Sequence, residues 1–311
     1  MLRFGFHVSA SGGITKIPER VESLGGECFQ FFARSPHGGK AKELEEAEVK
    51  EFKEGLKKLG LKNYYIHTPY FINLASKDNR IFFGSINAIK EDLKRAKILG
   101  AKYVVTHLGS ARDFKIETPL FEQNYSESFS KKYFKELLVL AQKRKFDPSA
   151  FLRVVAGLEK IAGQEKNIPL LIEISAGSGA VLGATFEEIS YYLEAVPALS
   201  GFCLDTAHAF ASGYDFRTTE EIKSNLIKME KWIGRDKLKL IHFNDSLAEF
   251  DSKVDRHAHL GQGKIGEKAF LNLVDYFYKE DYNTDVILET PTPEGMARDL
   301  SLLKNWRSNL V

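Results

Sequence analysis

The chain has 311 residues, of which 43% are hydrophobic and 28% charged, with 44 Lys and Arg against 42 Asp and Glu. This composition is typical of a globular protein, and the sequence contains no internal repeat or low-complexity segment. The net charge of +2 gives no overall preference for nucleic acid. Any contact with a polyanion must therefore come from local clusters of Lys and Arg.

Cys28 and Cys203 stand apart in apolar runs and form no CxxC pair, which argues against a disulfide framework and a cysteine-type zinc finger. No apolar run reaches the roughly 18 residues that a membrane span needs. The first ten residues lack the apolar core and cleavage site of a signal peptide. We therefore expect a cytoplasmic protein with no membrane contact.

Short runs rich in β-branched and aromatic residues predict eight strands. They begin near Phe4, Cys28, Asn63, Tyr103, Pro169, Gly201, Leu238 and Asp285. Segments with helical spacing of apolar residues separate them, such as the run through Val49, Phe52 and Leu56. Apolar strands alternating with helices predict a parallel sheet covered on both faces, and eight such units predict a single (β/α)8 TIM barrel over residues 1–311. An open doubly wound sheet is the alternative.

The connection after the fourth predicted strand is longer than the others, and we expect an insertion over about residues 110–147. Residues 128–145 have an amphipathic pattern that predicts a helix. Asp147 and Pro148 are typical of the N-cap and first position of a second helix.

Ionisable residues recur at or just after the predicted carboxyl ends of the strands. The set of five histidines and four carboxylates is His67, His107, Glu173, Asp205, His208, His242, Asp255, His257 and Glu289. The carboxyl ends of all strands in a parallel barrel meet at one face, so these side chains should converge on one pocket. A lone histidine in an apolar strand is usually a core residue. Four neighbouring carboxylates are different, because burying each without compensation costs several kcal/mol.

Divalent cations would remove that cost. Imidazoles and carboxylates without a thiolate suit Zn²⁺, Mn²⁺, Co²⁺ or Fe²⁺ better than Ca²⁺ or Mg²⁺, and we favour Zn²⁺, with Mn²⁺ possible in some positions. At three or four protein ligands per ion, the set would serve about three ions if one carboxylate is shared. Clustered ions suit in-line displacement at phosphorus. The sequence therefore favours phosphodiester hydrolysis.

Five motifs resemble the endonuclease IV family of metal-dependent apurinic/apyrimidinic (AP) endonucleases. They are HVSASGG, HTPYFINLAS, LDTAHAFASGYDFRT, VDRHAHLGQGKIG and ILETP, and the resemblance covers nearly the whole chain. It implies a barrel with a trinuclear zinc site that cleaves duplex DNA 5′ to an abasic site and trims blocked 3′ ends. We expect the protein to act as a monomer in DNA repair.

Carried over residue by residue, the resemblance implies three ligand groups. The groups are His67, His107 and Glu173; Glu173, Asp205, His242 and Glu289; and His208, Asp255 and His257. Glu173 bridges the first two groups. It is also the candidate catalytic residue, because the resemblance implies that it orients the attacking water.

Candidate DNA contacts lie in the loops after the second, third and seventh predicted strands. They are Arg34, His37, Tyr70, Asn73, Arg256 and Lys264. Tyr70 and Asn73 match the stacking aromatic of the family and the asparagine that follows it. His37, in contrast, stands where the family usually has an arginine that enters the DNA.

A sugar isomerase or epimerase of the xylose-isomerase-like barrels is the competing enzyme. Such barrels hold one metal ion with a Glu, Asp, His, Glu set, which Glu173, Asp205, His242 and Glu289 could supply. That reading leaves the other five ligand-type residues without a role. A DNA-lesion binder without catalysis is less favoured, because all nine positions are filled.

Two further histidines lie inside the matched motifs. His7 ends the first predicted strand, and we expect it to support the ligands rather than bind an ion. His259 follows His257 by two residues, and we expect it not to be a ligand.

Overall fold

The computed structural model describes residues 2–39, 41–114 and 131–310. Its eight barrel strands are β1 (Arg3–His7), β2 (Cys28–Phe31), β3 (Tyr64–His67), β4 (Tyr103–Thr106), β5 (Ile168–Glu173), β6 (Leu199–Asp205), β7 (Leu238–His242) and β10 (Asp285–Leu288). They are parallel and close in the order β1, β10, β7, β6, β5, β4, β3, β2. The predicted barrel is confirmed, and the open sheet is wrong because β1 pairs with β10.

Helices cover the outside of the barrel between the strands. Those of the described residues are α1 (Ile17–Leu24), α2 (Glu46–Lys58), α3 (Asn79–Leu99), α4 (Lys131–Lys143), α5 (Ser149–Ala162), α6 (Phe186–Ala195), α7 (Thr206–Ser212), α8 (Thr219–Trp232), α9 (Glu267–Lys279) and α10 (Pro293–Ser308). The helical spacing through Phe52 and Leu56 is confirmed, because both are buried on α2. No helix in the described ranges is long and apolar enough to cross a membrane.

Two helices lie between β4 and β5, as the predicted insertion requires. α5 packs against α3 in the position of the crossover helix, and α4 packs against α6. α5 begins one residue later than predicted, because Pro148 is its N-cap and the carboxylate of Asp147 accepts a hydrogen bond from the backbone N–H of Ser149 (2.8 Å). Residues 115–130, which include the start of the predicted helix over 128–145, lie outside the described residues.

Two short strands shape the long loop after β7. They are β8 (Asp245–Ser246) and β9 (His257–Ala258), which pair antiparallel with Ser246 opposite His257. Asp245 is buried, and its carboxylate accepts hydrogen bonds from the backbone N–H groups of Gly261, Gly263 and Ile265 at 2.9–3.0 Å. The loop that carries His257 is therefore held by backbone pairing and by a buried carboxylate.

Side chains fill the barrel lumen in two layers. The lower layer is apolar and contains Cys28, Tyr65, Val105, Leu171, Cys203, Leu240 and Ile287. Because the side chains of a strand alternate between its faces, the residue two positions later points to the same side. On the eight strands these later positions carry His7, Gln30, His67, His107, Glu173, Asp205, His242 and Glu289. The lumen is thus apolar below and polar at the carboxyl ends of the strands.

Asp92 is a buried carboxylate on α3, outside the polar layer. Neither of its oxygens has a hydrogen-bond partner within the described residues. Burial raises the pKa of Asp92 to about 7, against the opposing attraction of the Arg34 and Arg95 guanidinium groups and with a smaller contribution from Glu91. In the folded protein Asp92 therefore stays protonated at pH values well above the ordinary pKa of a carboxyl group.

We predict that Asp92→Asn reduces the pH dependence of stability between about pH 4 and about pH 7. The carboxyl ionises at lower pH in the unfolded chain than in the folded one, so raising the pH through this window lowers the free energy of unfolding of the wild type. Asparagine cannot ionise, so the variant lacks this loss. Urea unfolding across the window measures the difference, with the exposed Asp236→Asn as control. Parallel curves for wild type and Asp92→Asn would contradict the raised pKa.

Candidate metal centre

The structure brings all nine predicted ligand residues together at the carboxyl end of the barrel. Four are the last residues of their strands, namely His67, Glu173, Asp205 and His242. His107 and Glu289 immediately follow β4 and β10. The other three lie in the connections after β6 and β7, with His208 in α7, Asp255 just before β9 and His257 in β9.

Glu173 lies at the centre of the cluster. Its Oε2 is 2.9 Å from Nε2 of His67 and 3.5 Å from Nε2 of His107. Its Oε1 is 3.2 Å from Nδ1 of His242 and 3.3 Å from Nδ1 of His208. The two oxygens face different sets of histidines, which is the arrangement expected of a carboxylate that bridges two ions.

The second group combines one histidine with three carboxylates. Nδ1 of His242 lies 3.2 Å from Oε2 of Glu289 and 3.9 Å from Oδ2 of Asp205. One oxygen or nitrogen from each of Glu173, Asp205, His242 and Glu289 lies within 4.8 Å of the others. A single-metal epimerase would use the same four residues, so this group alone does not separate the two predicted functions.

The third group forms through a helix cap and the β8–β9 pair. Asp205 caps α7 by accepting a hydrogen bond from the backbone N–H of His208 (2.8 Å), which turns the His208 ring toward the cluster. His208, His257 and Asp205 each place a ligand atom within 4.8 Å of the others. Asp255 approaches both histidines, at 3.2 Å from His208 and 3.4 Å from His257, although its side chain is 57% exposed. Asp255 therefore lies at the solvent edge, and Asp205 joins the second and third groups.

Backbone carbonyls determine which histidine nitrogen faces the cluster. Nδ1 of His67 lies 2.7 Å from the carbonyl oxygen of Thr68, and Nδ1 of His208 lies 3.0 Å from that of Ile174. Nδ1 of His257 is held by a backbone carbonyl in the same way, at 3.4 Å. Because a carbonyl oxygen only accepts, these nitrogens carry the proton of the neutral imidazole, whose Nε2 lone pair then faces the cluster.

This arrangement fits a divalent cation. Nε2 of His208 and Nε2 of His257 lie 3.4 Å apart, so in the neutral imidazoles with the proton on Nδ1 two lone pairs face each other. No Lys or Arg of the described ranges forms an ion pair with the four carboxylates of the cluster. A cation between the lone pairs and carboxylates converts their repulsion into coordination, and imidazole nitrogen with carboxylate oxygen is the donor set that Zn²⁺ and Mn²⁺ accept.

The charges in the cluster are strongly coupled. Burial alone would raise the pKa of Glu173, but the imidazoles of His107, His242 and His208 hold it well below its ordinary value. Burial alone would lower the pKa of His208, but Asp205, Asp255 and Glu173 raise it well above its ordinary value. The Glu173 carboxylate is therefore ionised at neutral pH, and a bound cation competes with protons for His208.

Sequence reasoning missed two buried amides that contact the ligands. Nδ2 of Asn244 donates to Oδ2 of Asp205 (2.6 Å), and its Oδ1 accepts from the backbone N–H of Glu289 (2.8 Å). Gln30 contacts His242 and Glu289 from β2. The only signal in the sequence was that each amide lies inside an apolar run. Gln30 also lies two positions after Cys28, so it points into the lumen.

The two remaining histidines of the motifs lie outside the three groups. His7 Nδ1 is 3.3 Å from Oε1 of Glu289. Both nitrogens of His259 are used elsewhere, Nδ1 at 2.8 Å from Asp299 and Nε2 at 3.0 Å from Thr292. His259 therefore ties the loop after β9 to α10.

Four of the predicted DNA contacts are available on the surface. Tyr70 is 67% exposed, and its ring packs edge-on against Phe32 at 5.2 Å. His37 and Arg256 are exposed in their loops. Lys264 pairs with the exposed Glu249 at 2.8 Å, a surface contact of the weak kind that a phosphate could displace.

The other two predicted contacts use their polar atoms within the protein. Nη1 of Arg34 pairs with Glu91 at 3.0 Å, and Nη2 donates to the carbonyl of Gly39 at 3.0 Å. Oδ1 of Asn73 accepts from the backbone N–H of Ser110 at 3.0 Å. As placed, Arg34 supports the loop after β2, and Asn73 links the loops after β3 and β4.

An open cavity of about 2050 Å³ lies over the cluster, lined among others by His67, His107, Tyr70 and Asp255. Its volume exceeds the roughly 300–1,000 Å³ of pockets for small ligands. The cavity can therefore admit a substrate larger than a single sugar.

Comparisons with known proteins identify the family of the chain. The family model described as xylose isomerase-like TIM barrel matches residues 18–306. The chain is 33% identical over 309 residues to a probable endonuclease 4 from Halothermothrix orenii, covering 98% of this chain and 99% of that protein. The chain belongs to the endonuclease IV family. The predicted resemblance is thereby confirmed.

Solved structures separate this endonuclease IV family member from other barrels. Endonuclease IV from Thermus thermophilus matches with a TM-score of 0.78 at 32% identity and 99% coverage of both chains. D-psicose 3-epimerase from Clostridium cellulolyticum H10 matches with a TM-score of 0.62 at 13% identity and 99% coverage of both chains. At that identity the epimerase shares the barrel fold alone.

We predict that Asn244→Ala weakens zinc binding by about 10- to 100-fold, because Asp205 loses a hydrogen-bond donor that orients it. Competition for Zn²⁺ with a chromophoric chelator measures the affinity, and circular dichroism checks the fold. Asn305→Ala, on the exposed side of α10, is the matched control. Equal zinc affinity in Asn244→Ala and wild type would show that this amide does not orient the ligands.

Proposed function

We propose that the chain is a metal-dependent AP endonuclease that hydrolyses the phosphodiester 5′ to abasic sites in duplex DNA and trims blocked 3′ ends. The proposal is carried by two further groups of histidines beside the set of Glu173, Asp205, His242 and Glu289. His67 and His107 share Glu173 with this set, and His208 and His257 share Asp205 with it. A single-metal epimerase has no use for them. Clustered ions, in contrast, suit displacement at phosphorus. Membership of the endonuclease IV family supports the same reaction.

We propose that the site holds three Zn²⁺ ions, with Mn²⁺ possible in some positions. The first two groups share Glu173, and Asp205 also approaches the third group of His208, Asp255 and His257. When bound, the ions activate water and neutralise the charge that develops on the phosphate. The donor set and its burial support this assignment.

Within the chain itself, Glu173 is the candidate catalytic residue. Its carboxylate is buried and its pKa is held low by His107 and His242 against the effect of burial, so it is ionised at neutral pH. An ionised carboxylate can accept a hydrogen bond from water and so orient a lone pair toward phosphorus.

The rim of the cavity supplies the contacts to DNA. An abasic nucleotide must be extruded from the helix to reach the cluster, at a cost of a few kcal/mol for unstacking. Tyr70 can stack in the gap because it is exposed beside the cavity. We assign Arg256 and Lys264 to phosphate contacts and His37 to a minor contact. Arg34 supports the loop that carries His37, and Asn73 supports the loop that carries Tyr70.

We further propose that residues 1–311 act as a single barrel domain and as a monomer in the cytoplasm. All nine predicted ligands come from one chain, so the site needs no second copy. The closed barrel also leaves no unpaired strand edge for a partner.

The decisive experiment incubates the purified protein with a duplex containing one abasic site, with and without a strong chelator. We expect a nick 5′ to the lesion, its loss on chelation, and about three transition-metal ions per chain by elemental analysis. The same preparation is assayed for ketose epimerisation. Epimerisation without nicking, together with a single ion, would overturn the proposal in favour of the sugar enzyme.

We predict that Glu173→Gln lowers the rate of nicking by about 10²-fold or more while abasic duplex still binds. The substitution keeps the shape of the side chain but removes the charge that both histidine sets face. Single-turnover kinetics and a gel-shift titration measure the two effects. Wild-type turnover in Glu173→Gln would remove this carboxylate from the reaction.

We predict that Tyr70→Ala weakens binding to abasic duplex by about tenfold or more, because an aromatic stack contributes about 1–3 kcal/mol. His37→Ala should have a smaller effect, since its loop offers no arginine at this position. Fluorescence anisotropy measures both affinities, and elemental analysis should show unchanged metal content. If Tyr70→Ala binds and cuts like wild type, another loop holds the DNA open.

A further inference from the structure

Two members of the polar layer are not among the predicted ligands. They are His7 on β1 and Gln30 on β2, the two strands that close the barrel between β10 and β3. Gln30 is completely buried. An uncharged amide at the same level as Glu173 and Glu289 requires a physical explanation, because a buried polar group is retained only where its hydrogen bonds are made.

The Gln30 amide makes three contacts within the layer. Its Oε1 lies 3.0 Å from Nε2 of His242. Its Nε2 donates to Oε1 of Glu289 at 2.6 Å and lies 3.1 Å from Nδ1 of His7. One side chain therefore joins two predicted ligands of the second group to the histidine beside them.

The direction of these hydrogen bonds follows from the cluster. Nδ1 of His242 faces the carboxylates of Glu173 and Glu289, both at 3.2 Å, so this nitrogen is the one that would coordinate an ion. Nε2 of His242 then carries the proton and donates to Oε1 of Gln30. This fixes the orientation of the amide and leaves its two N–H protons for Glu289 and His7.

His7 completes the pattern. If Gln30 donates to Nδ1 of His7, that nitrogen is an acceptor and the proton lies on Nε2. Nε2 of His7 is buried and has no hydrogen-bond partner among the described residues. This tautomer leaves a buried N–H unpaired, so it depends on the contact from Gln30, and Oε1 of Glu289 is the acceptor that would draw the proton to Nδ1 once that contact is lost.

We propose that Gln30 is a positioning residue that sets the hydrogen-bond polarity of the metal centre. It holds Nδ1 of His242 and Oε2 of Glu289 close together, where both would be available to an ion of the second group, and it keeps His7 in the form protonated on Nε2. His7 is thereby an acceptor toward Gln30 and not a further ligand through Nδ1. This inference rests on the metal-binding part of the proposed function.

The test replaces Gln30 by Met, which has a similar volume but neither donates nor accepts strongly. We expect the affinity for one zinc ion to fall about 10- to 100-fold, as for other residues that orient ligands. We also expect His7 to shift its proton to Nδ1, because Oε1 of Glu289 lies 3.3 Å from that nitrogen. Chelator competition measures zinc affinity, and long-range ¹H–¹⁵N correlation spectra of the histidine rings report the tautomers.

Tyr65→Phe is the matched control, because it removes a hydrogen bond to Asp285 from the lower lumen layer without touching a predicted ligand. It should retain the zinc affinity and the histidine tautomers of the wild type. Gln30→Met with wild-type zinc affinity and wild-type His7 tautomer would overturn the inference alone. A wild-type protein that binds no zinc would overturn the metal centre itself.

A second variant keeps the test decisive if Gln30→Met does not fold. Gln30→Glu still accepts from His242 but sets a second carboxylate against Glu289, so we expect it to lose zinc affinity as well. Wild-type zinc affinity in Gln30→Glu would show that the donor half of the amide has no role.

Discussion

The crowding of carboxylates and imidazoles at one end of the barrel lumen is the constraint on which the rest of the structure depends. Glu173, Asp205 and His242 are almost completely buried, and charges taken out of water without compensation cost several kcal/mol each. Backbone carbonyls turn the Nε2 atoms of His67 and His208 inward, so each neutral imidazole directs a lone pair at these groups. Such a centre is tolerable where a cation completes it, so metal binding and folding stability are coupled.

The barrel holds these groups in place through a simple repeat. Seven of the eight strands contribute one side chain to the lower lumen layer and, two positions later, one to the polar layer, whereas β1 has Gly5 at the lower level. The rigid apolar layer of Tyr65, Leu171 and Leu240 thus lies directly below the cluster. Only the third group depends on irregular structure, and there the cap of Asp205 on α7 and the β8–β9 pair provide the rigidity.

The sequence was sufficient to predict the strands and the convergence of the nine predicted ligand residues at one end of the barrel, because strand runs, strand ends and long motifs are local properties of the chain. It was insufficient for Gln30, whose partners His242 and Glu289 lie more than 200 positions away. Nothing in a local pattern shows which acceptor a buried amide will meet. The same limit applies to Arg34, because its contacts with Glu91 and Gly39 depend on tertiary neighbours.

The order of strands around the barrel explains how one fold can serve both one-metal and several-metal chemistry. β10, β7, β6 and β5 are neighbours and carry the four-residue set that ends in Glu173 on β5. His107 and His67, at the ends of the next two strands β4 and β3, form a further group with Glu173, because β5 lies next to β4. Adding histidines after β6 and β7 creates another group that Asp205 shares from β6. The number of neighbouring strands that carry ligand-type side chains therefore determines how many such groups form, and the remaining strands, β1 and β2, place His7 and Gln30 beside them.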